Sequence, residues 1–161
     1  MKKASVESDA FKRSPKTSRE VLHPEQYITR AFVAPEFKDD VLESPKEGAR
    51  PIFTDTVGEF IASAMLGATL SSQTRGEECA SGWKRDRIGV FESDKGTRTV
   101  SWVSEWDSSG EAQEFYECSR EMLKVPYQRD VHETLTAVSP TKKMKVAVKD
   151  RMVVVGVEVS P

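Results

Sequence analysis

The sequence has very little histidine or cysteine, and this scarcity limits the chemistry it can perform. Its two histidines, His23 and His132, lie outside any HExxH helix and have no second histidine or cysteine at metal-ligand spacing. No GxSxG nucleophile turn occurs, and the nine glycines are scattered rather than gathered into a phosphate loop. The sequence therefore predicts no catalytic residue, no metal site and no cofactor.

Long hydrophobic runs and an excess of either charge are also missing. No run approaches 18 apolar residues, so no membrane-spanning helix is predicted. The 26 acidic and 24 basic residues leave a net charge of −2, which argues against a nucleic-acid binder. The N-terminal lysines are followed by no apolar segment, which predicts no cleavable signal peptide and a cytoplasmic protein if Met1 is the true start.

The two cysteines, Cys79 and Cys118, are too far apart for a metal knuckle. They could form a disulfide in an oxidising compartment. We favour the other interpretation, in which both are half-buried free thiols.

Residues 1–50 are predicted to form an extended arm. They have almost no hydrophobic period, although short apolar clusters occur between the prolines. Each proline disfavours a helix in the residue before it; these are Pro15, Pro24, Pro35 and Pro45. We expect the arm to lie across a surface, either of its own domain or of a partner. A short helix is predicted over Pro24–Arg30, with the proline in its first turn.

A helix is predicted to follow the arm. Thr56 and Glu59 have the spacing of a capping box, in which each side chain satisfies a backbone amide at the helix start. The apolar residues behind them recur at helical spacing: Phe60, Ile61, Ala64, Met65 and Ala68. The helix should end near Leu70–Ser72. The stretch Ser71–Ser81 is interpreted as a polar connection.

The segment Gly82–Leu123 is predicted to be the centre of the fold. Two strands, Arg87–Glu92 and Thr97–Trp106, flank a turn at residues 93–96. The second strand places Trp102 and Trp106 on one face, which favours a place in the core. A helix should then begin at Ser108, which has capping-box spacing to Glu111. Its inner stripe is predicted to be Ala112, Phe115, Tyr116, Ser119, Met122 and Leu123.

The C-terminal segment predicts a second β-hairpin, because apolar residues alternate on both sides of a turn at Asp150-Arg151. The order from Thr54 is therefore helix, hairpin, helix, hairpin. This order predicts an α+β fold with one antiparallel sheet of about four strands and two helices on one face. Residues 1–50 would be the arm and residues 51–161 a two-layer domain.

Two sets of charged residues have both a functional and a structural interpretation. Glu92, Glu105 and Asp107 are candidates for acid–base chemistry, but we favour ion pairs with the basic residues of the same hairpin. The basic run suits phosphate or an acidic partner, but we favour an edge strand that lysines protect from aggregation. That run consists of Lys142, Lys143, Lys145, Lys149 and Arg151.

Candidate interaction residues come from the arm, from the basic run and from one tryptophan. Trp83 lies at a strand entrance and is the tryptophan least easily assigned to the core. The full set is Tyr27, Ile28, Phe32, Phe37, Trp83, Lys142, Lys143 and Lys145.

Four stretches resemble, in the same order, a family of uncharacterised bacterial secreted or envelope proteins. They are TSREVLHPEQYIT (Thr17–Thr29), DTVGEF (Asp55–Phe60), GWKRDRIGVFE (Gly82–Glu92) and VSWVSEWDSSGEAQEF (Val100–Phe115), and the closing valine hairpin is similar too. Longer members of that family carry an N-terminal zinc-peptidase-like domain with an HELTHALQDQ-type helix, which is missing here. The resemblance implies a C-terminal, non-catalytic module and an envelope or exported setting.

These observations predict a non-enzymatic interaction or accessory module. It would dock on a protein partner, or on a second copy, through its arm and its sheet domain. The alternative is the non-catalytic C-terminal part of a zinc-peptidase-like enzyme whose active helix lies on another segment or chain. A third interpretation is a small-ligand-binding domain that uses the tryptophan face.

Overall fold

A computed structural model describes residues 14–29, 37–38, 41–42, 48–123, 127–129 and 134–161. The helices in these ranges are α1 (Ser18–Leu22), α2 (Pro24–Thr29), α3 (Gly58–Leu70), α4 (Gln73–Ala80) and α5 (Ser109–Ser119), and a 3₁₀ turn follows at Arg120–Leu123. The strands are β1 (Arg50–Asp55), β2 (Trp83–Glu92), β3 (Arg98–Trp106), β4 (Tyr127–Arg129), β5 (Leu135–Val138), β6 (Lys142–Lys149) and β7 (Met152–Val159).

The strands form one antiparallel sheet in the order β1-β2-β3-β7-β6-β5-β4. The α+β fold and the two hairpins are as predicted, but the prediction of about four strands is wrong because the described residues form seven. The added strands lie at the two edges. β1 is almost wholly exposed, whereas β4 and β5 have three and four residues. Pairing with a neighbour stabilises such strands, and a sequence pattern does not reveal it.

The two predicted hairpins meet at the centre of the sheet. β3 pairs with β7, and this places Trp102 opposite Val155. Helices α3, α4 and α5 contribute to the core on the front face of the sheet. There the Phe115 ring stacks on Trp106 at 4.5 Å and meets Trp102 edge-on at 5.5 Å. The prediction that Trp102 and Trp106 belong to the core is confirmed, with 4 % and 0 % exposed.

Helix α5 begins as predicted. Ser108 caps it by accepting a hydrogen bond from the Glu111 amide at 3.2 Å. The predicted inner stripe is buried at Ala112, Phe115, Tyr116, Ser119 and Leu123, while the Met122 side chain lies outside the described residues.

The two cysteines form a disulfide, so the preferred prediction of free thiols is wrong. Cys79 lies on α4, in a stretch that was predicted to be a connection but is a helix capped by Ser72. This helix packs against α5 and brings the Cα atoms of Cys79 and Cys118 to 6.2 Å, within the range that a disulfide spans. The bond is buried in the front core.

Helix α3 ends where predicted, but its apolar stripe faces away from the core. Phe60 and Ile61 are 56 % and 49 % exposed, whereas the helix buries a face of mostly small residues. That face lets α4 cross closely, since a Cβ atom on Gly76 would lie 2.4 Å from the Gly67 nitrogen. Close backbone approach therefore decides the orientation of α3.

Part of the predicted arm packs on the back face of the sheet, opposite the helices. Leu42 is buried against Phe91 of β2 and Val103 of β3, and Phe37 packs on the same cluster. The Arg85 guanidinium lies over the Phe37 ring at 4.1 Å from its centroid. The described arm residues thus cover the β2–β3 half of the back face.

Candidate interaction site

Helix α1 begins with a capping box that the sequence analysis did not identify. The Thr17 hydroxyl accepts a hydrogen bond from the Glu20 amide, and the Glu20 carboxylate accepts one from the Thr17 amide, both at 3.3 Å. These contacts give a five-residue helix a defined start. They also fix the side chains of Ser18 and Arg19, which face the domain.

Hydrogen bonds from Arg19 connect the two N-terminal helices to the sheet. Its side chain is buried and donates to Asp107 at 2.6 Å and to Gln26 of α2 at 3.1 Å. A third hydrogen bond goes to the backbone oxygen of Trp83. A planar guanidinium with five donors is suited to joining three partners at one point.

The start of α3 is capped by side chains from other elements, so the predicted capping box at Thr56 is wrong. The Asp86 carboxylate of β2 accepts from the Val57 and Gly58 amides at 3.1 and 3.2 Å. Ser18 of α1 accepts from the Phe60 amide at 3.3 Å. Gly58 has a φ of 77°, and a Cβ atom there would lie 2.6 Å from the Ser18 hydroxyl, so the site requires glycine.

Among the described residues, the fold strongly shifts the pKa of Asp86. Burial raises its pKa to about 6, although hydrogen bonds from the Trp102 indole and the Gly58 and Val57 amides favour the charged form. The Trp83 indole N–H also favours that form, but it makes no hydrogen bond of ordinary geometry to any described residue. Asp86 thus accepts the donors of a helix start inside the core.

A histidine–glutamate contact completes the attachment of the N-terminal helices. His23 Nε2 lies 2.8 Å from Oε1 of Glu59, a buried residue in the first turn of α3. The other carboxylate oxygen of Glu59 is buried and has no hydrogen-bond partner within the described ranges. Two polar contacts therefore join the α1 region to α3, one from the Phe60 amide to Ser18 and one between His23 and Glu59.

Because polar contacts make this join, large apolar side chains remain on its outside. Ser18 and Leu22 lie one helical turn apart, so they share the side of α1 that meets α3. We call the exposed set the junction surface; it consists of Val21, Leu22, Phe60, Ile61 and Met65, which are 64 %, 43 %, 56 %, 49 % and 39 % exposed.

The structure distributes the predicted interaction residues over several places. Tyr27 is half-buried and Ile28 is 52 % exposed, and both lie on α2, outside the junction surface as defined above. Phe37 packs on the back face, and Phe32 lies outside the described residues. Trp83 is 1 % exposed and belongs to the core, so its ring is not a surface residue.

The three predicted lysines, Lys142, Lys143 and Lys145, are exposed on β6. This strand pairs with β5 on one side and β7 on the other. The interpretation that these lysines protect a sheet edge is therefore wrong, because β6 is an interior strand.

Two of the three candidate acid–base carboxylates, Glu92 and Glu105, make ion pairs within the hairpin, as favoured, whereas Asp107 pairs with Arg19 of α1. Glu105 contacts Lys84 at 2.7 Å and Arg85 at 2.5 Å. Burial raises the pKa of Glu105, but these two hydrogen bonds outweigh it, and the pKa lies below its ordinary value. Glu92 pairs with Arg98 at 3.2 Å, at the far end of the hairpin.

Within the described ranges, no three His, Cys, Asp or Glu side chains come together in a way that could hold a metal ion. None of the helices there has both the length and the apolar character that crossing a bilayer requires.

Comparison with known families matches residues 49–160 to the domain of unknown function DUF8575. The match extends from just before β1 to the residue after β7, and it includes every strand of the sheet. The chain belongs to the DUF8575 family. Helices α1 and α2 precede the matched part of the DUF8575 domain.

A search of curated proteins finds no match for this DUF8575 chain. Among solved structures it is similar to the extracellular domain of PknH from Mycobacterium tuberculosis, with 7 % identity and a TM-score of 0.49. That similarity covers 80 % of this chain and 89 % of the PknH domain. The comparisons show no zinc-peptidase-like relative, so that resemblance stays a prediction.

The residues that build the junction were missed because each contact joins distant parts of the DUF8575 chain. Arg19 and Asp107 are 88 residues apart, and Gly58 and Asp86 are 28 apart. The available signals were local: Thr17 and Glu20 have capping-box spacing, and Gly58 precedes a helical pattern.

Proposed function

We propose that this DUF8575 chain is a non-enzymatic interaction module that docks on a protein partner through the junction surface. The observation that carries the proposal is the exposure of Phe60, Ile61 and Met65 on a helix that buries small residues instead. Exposed apolar patches on soluble domains commonly mark binding surfaces. The arm contributes Val21 and Leu22 to the same surface.

The position of the junction surface is fixed before any partner binds. Arg19 and Asp86 hold α1 and the start of α3 in place through buried hydrogen bonds. A rigid apolar surface loses little conformational freedom on binding, which favours affinity. This is a reason to prefer docking over loose, non-specific association.

A photo-crosslinking amino acid at position 61, in the full chain expressed in its source cells, tests the proposal. We expect a crosslink to one protein, or to a second copy of the chain, and its loss in a Phe60→Ser variant. The matched control carries the same crosslinker at Lys95, which is exposed in the turn between β2 and β3. Identical crosslinks from positions 61 and 95 would contradict the proposal.

The disulfide supports an oxidising compartment, such as the bacterial envelope, as the setting of this module. Cytosolic thiols are normally kept reduced, whereas exported proteins keep their disulfides. Trapping the free thiols of the protein in its source cells would test this. Alkylation of Cys79 and Cys118 without prior reduction would contradict an oxidising setting.

The second candidate function is a non-catalytic module that follows a zinc-peptidase-like domain. The four stretches that resemble that family are separate in the sequence but meet at one junction, and this supports the candidate. Each stretch contributes one residue to the junction: Arg19, Glu59, Asp86 and Asp107. The upstream coding sequence tests this candidate. An HExxH-containing domain encoded in frame or in the neighbouring gene would favour it, and the absence of any such domain would remove it.

A further inference from the structure

The back face of the sheet has two unlike halves. Over β2 and β3 it is covered, with Val103 only 5 % exposed beneath Leu42 and Phe37. Over β5, β6 and most of β7 the described residues leave it open, whereas Met152 at the start of β7 packs on the covering cluster. Val154 of β7, directly opposite Val103, is 42 % exposed.

The lysines of β6 project from the open half. Ala147 lies opposite Val154 and therefore shares the back face with it. Residues at even spacing from Ala147 lie on that same face, and these are Lys143, Lys145 and Lys149. We call them the lysine row. All three are exposed, and none has an ion pair or a side-chain hydrogen bond with another described residue.

The strand beside the lysine row, β7, has little side-chain volume on its back face. Gly156 of β7 lies opposite Lys145, and a Cβ atom added there would meet no described atom within 4 Å. Val154 and Gly156 therefore form the floor of a short strip along β7, which ends at Met152 on one side and at Glu158 on the other. The lysine row borders this strip on one side, and the cluster of Phe37, Leu42 and Val103 borders it on the other.

Acidic groups near the lysine row offset only part of its charge. Glu158 is half-buried opposite Lys143, and Asp150 lies in the turn beyond Lys149. Arg151 in the same turn adds another exposed positive charge. In a chain with a net charge of −2, this half of the sheet is locally basic.

The geometry points to an extended acidic segment of a partner protein as the occupant of this strip, with its carboxylates on the lysine row. Lysines two residues apart on a strand are separated by about 7 Å, which is also the spacing of same-side residues in an extended peptide. The floor is about one strand wide, so it fits one extended chain.

Other anionic occupants fit the strip less well. A lone phosphate would need donors that converge on one point, whereas Lys143 and Lys149 are about 20 Å apart along the strand. A membrane would require several protruding apolar side chains, whereas the described residues of this half offer Val138 opposite Lys143 and Val154 between the two borders of the strip. Lysine ammonium groups, as mobile point charges, suit a row of separate carboxylates.

Fluorescence anisotropy with a labelled twelve-residue peptide of alternating Glu and Ser tests the inference on the full chain. We expect wild-type binding at low salt, loss of that binding in about 0.5 M NaCl, and no binding of the matched Gln–Ser peptide. The double variant Lys143→Gln/Lys145→Gln should bind about tenfold more weakly. The control Lys16→Gln/Lys95→Gln removes the same charge at exposed positions elsewhere and should bind like wild type.

Three outcomes would overturn the inference. Equal weakening in both double variants would mean that only net charge matters. Equal binding of the Gln–Ser peptide would remove the role of carboxylates. Lysine-dependent binding to phosphatidylglycerol vesicles without peptide binding would assign the surface to membranes. A Phe60→Ser/Ile61→Ser variant should keep peptide binding, so this inference and the junction-surface proposal can fail independently.

Discussion

Helices α5 and α3 pack on the same sheet in opposite ways. α5 turns its apolar side inward, where Phe115 contacts two tryptophans and Cys118 forms a disulfide. α3 turns Phe60 and Ile61 outward and is held at its start by Asp86 and Ser18. The large apolar residues of α5 stabilise the fold, whereas Phe60 and Ile61 of α3 remain exposed.

The largest effect should come from truncating the apolar anchor of α5. We expect Phe115→Ala to lower the free energy of unfolding by about 4–5 kcal/mol, because a ring in contact with both Trp102 and Trp106 leaves a cavity. Urea denaturation measures this. If the free energy of unfolding fell by less than about 1 kcal/mol, the attachment of α5 to the sheet would not depend on the apolar packing of Phe115.

Removing the disulfide should lower the free energy of unfolding by nearly as much as Phe115→Ala does. Cys79 and Cys118 are 39 residues apart, and closing a loop of that length in the unfolded chain is worth about 4 kcal/mol. The Cys79→Ala/Cys118→Ala variant should therefore unfold at lower urea than oxidised wild type. Reduced wild type is the control, and it should unfold near the variant. Equal stability of all three would show that α4 and α5 need no covalent link.

The free energy of unfolding should depend on pH through Asp86, which caps the start of α3. An acid whose pKa is raised from 3.8 to about 6 by folding adds stability when protonated. That contribution is present in full below about pH 4 and is lost as the pH rises through 6. A shift of about two pKa units corresponds to about 3 kcal/mol. We expect the stability of the Asp86→Asn variant not to fall in this way as the pH rises. Urea unfolding at several pH values measures this. If the stability of the variant and of the wild type changed in parallel with pH, the effect would not come from Asp86.

Breaking the Arg19 contacts should have a moderate effect. We expect Arg19→Ala to cost about 1–2 kcal/mol, because its partner Asp107 is 39 % exposed and regains water. Hydrogen exchange should show faster exchange in α1 and in the first turn of α3. The matched control is Arg98→Ala, which removes an exposed pair with Glu92 and should change stability by at most about 0.5 kcal/mol.

The smallest effect is expected at the outward face of α3. Phe60→Ala should change the free energy of unfolding by at most about 0.5 kcal/mol, since more than half of the ring surface is already exposed. Comparing Phe60→Ala with Phe115→Ala shows how the same substitution changes the free energy of unfolding on α3 and on α5. A loss above about 2 kcal/mol would show that Phe60 packs on the domain.

Local signals predicted local structure well. Ser108 and Glu111 marked the start of α5, and the alternation around Trp102 and in the final hairpin marked three central strands. Strands β1 and β4 and helix α4 were missed because their residues are mostly polar or exposed, and pairing with neighbours stabilises them. None of the five residues of the junction surface was predicted to contact a partner. The residues that hold it in place, Arg19, Glu59 and Asp86, were not predicted to do so either, because their contacts join distant parts of the chain.

The amino-acid sequence by itself determined the α+β class, the two hairpins and the tryptophan core, because these depend on periodicity and on residues a few positions apart. Only the tertiary structure decided which face of α3 is buried, that Cys79 reaches Cys118, and that the lysine row lies on an interior strand. Each of these depends on elements far apart in the chain, where close backbone approach and buried hydrogen bonds outweigh the local pattern.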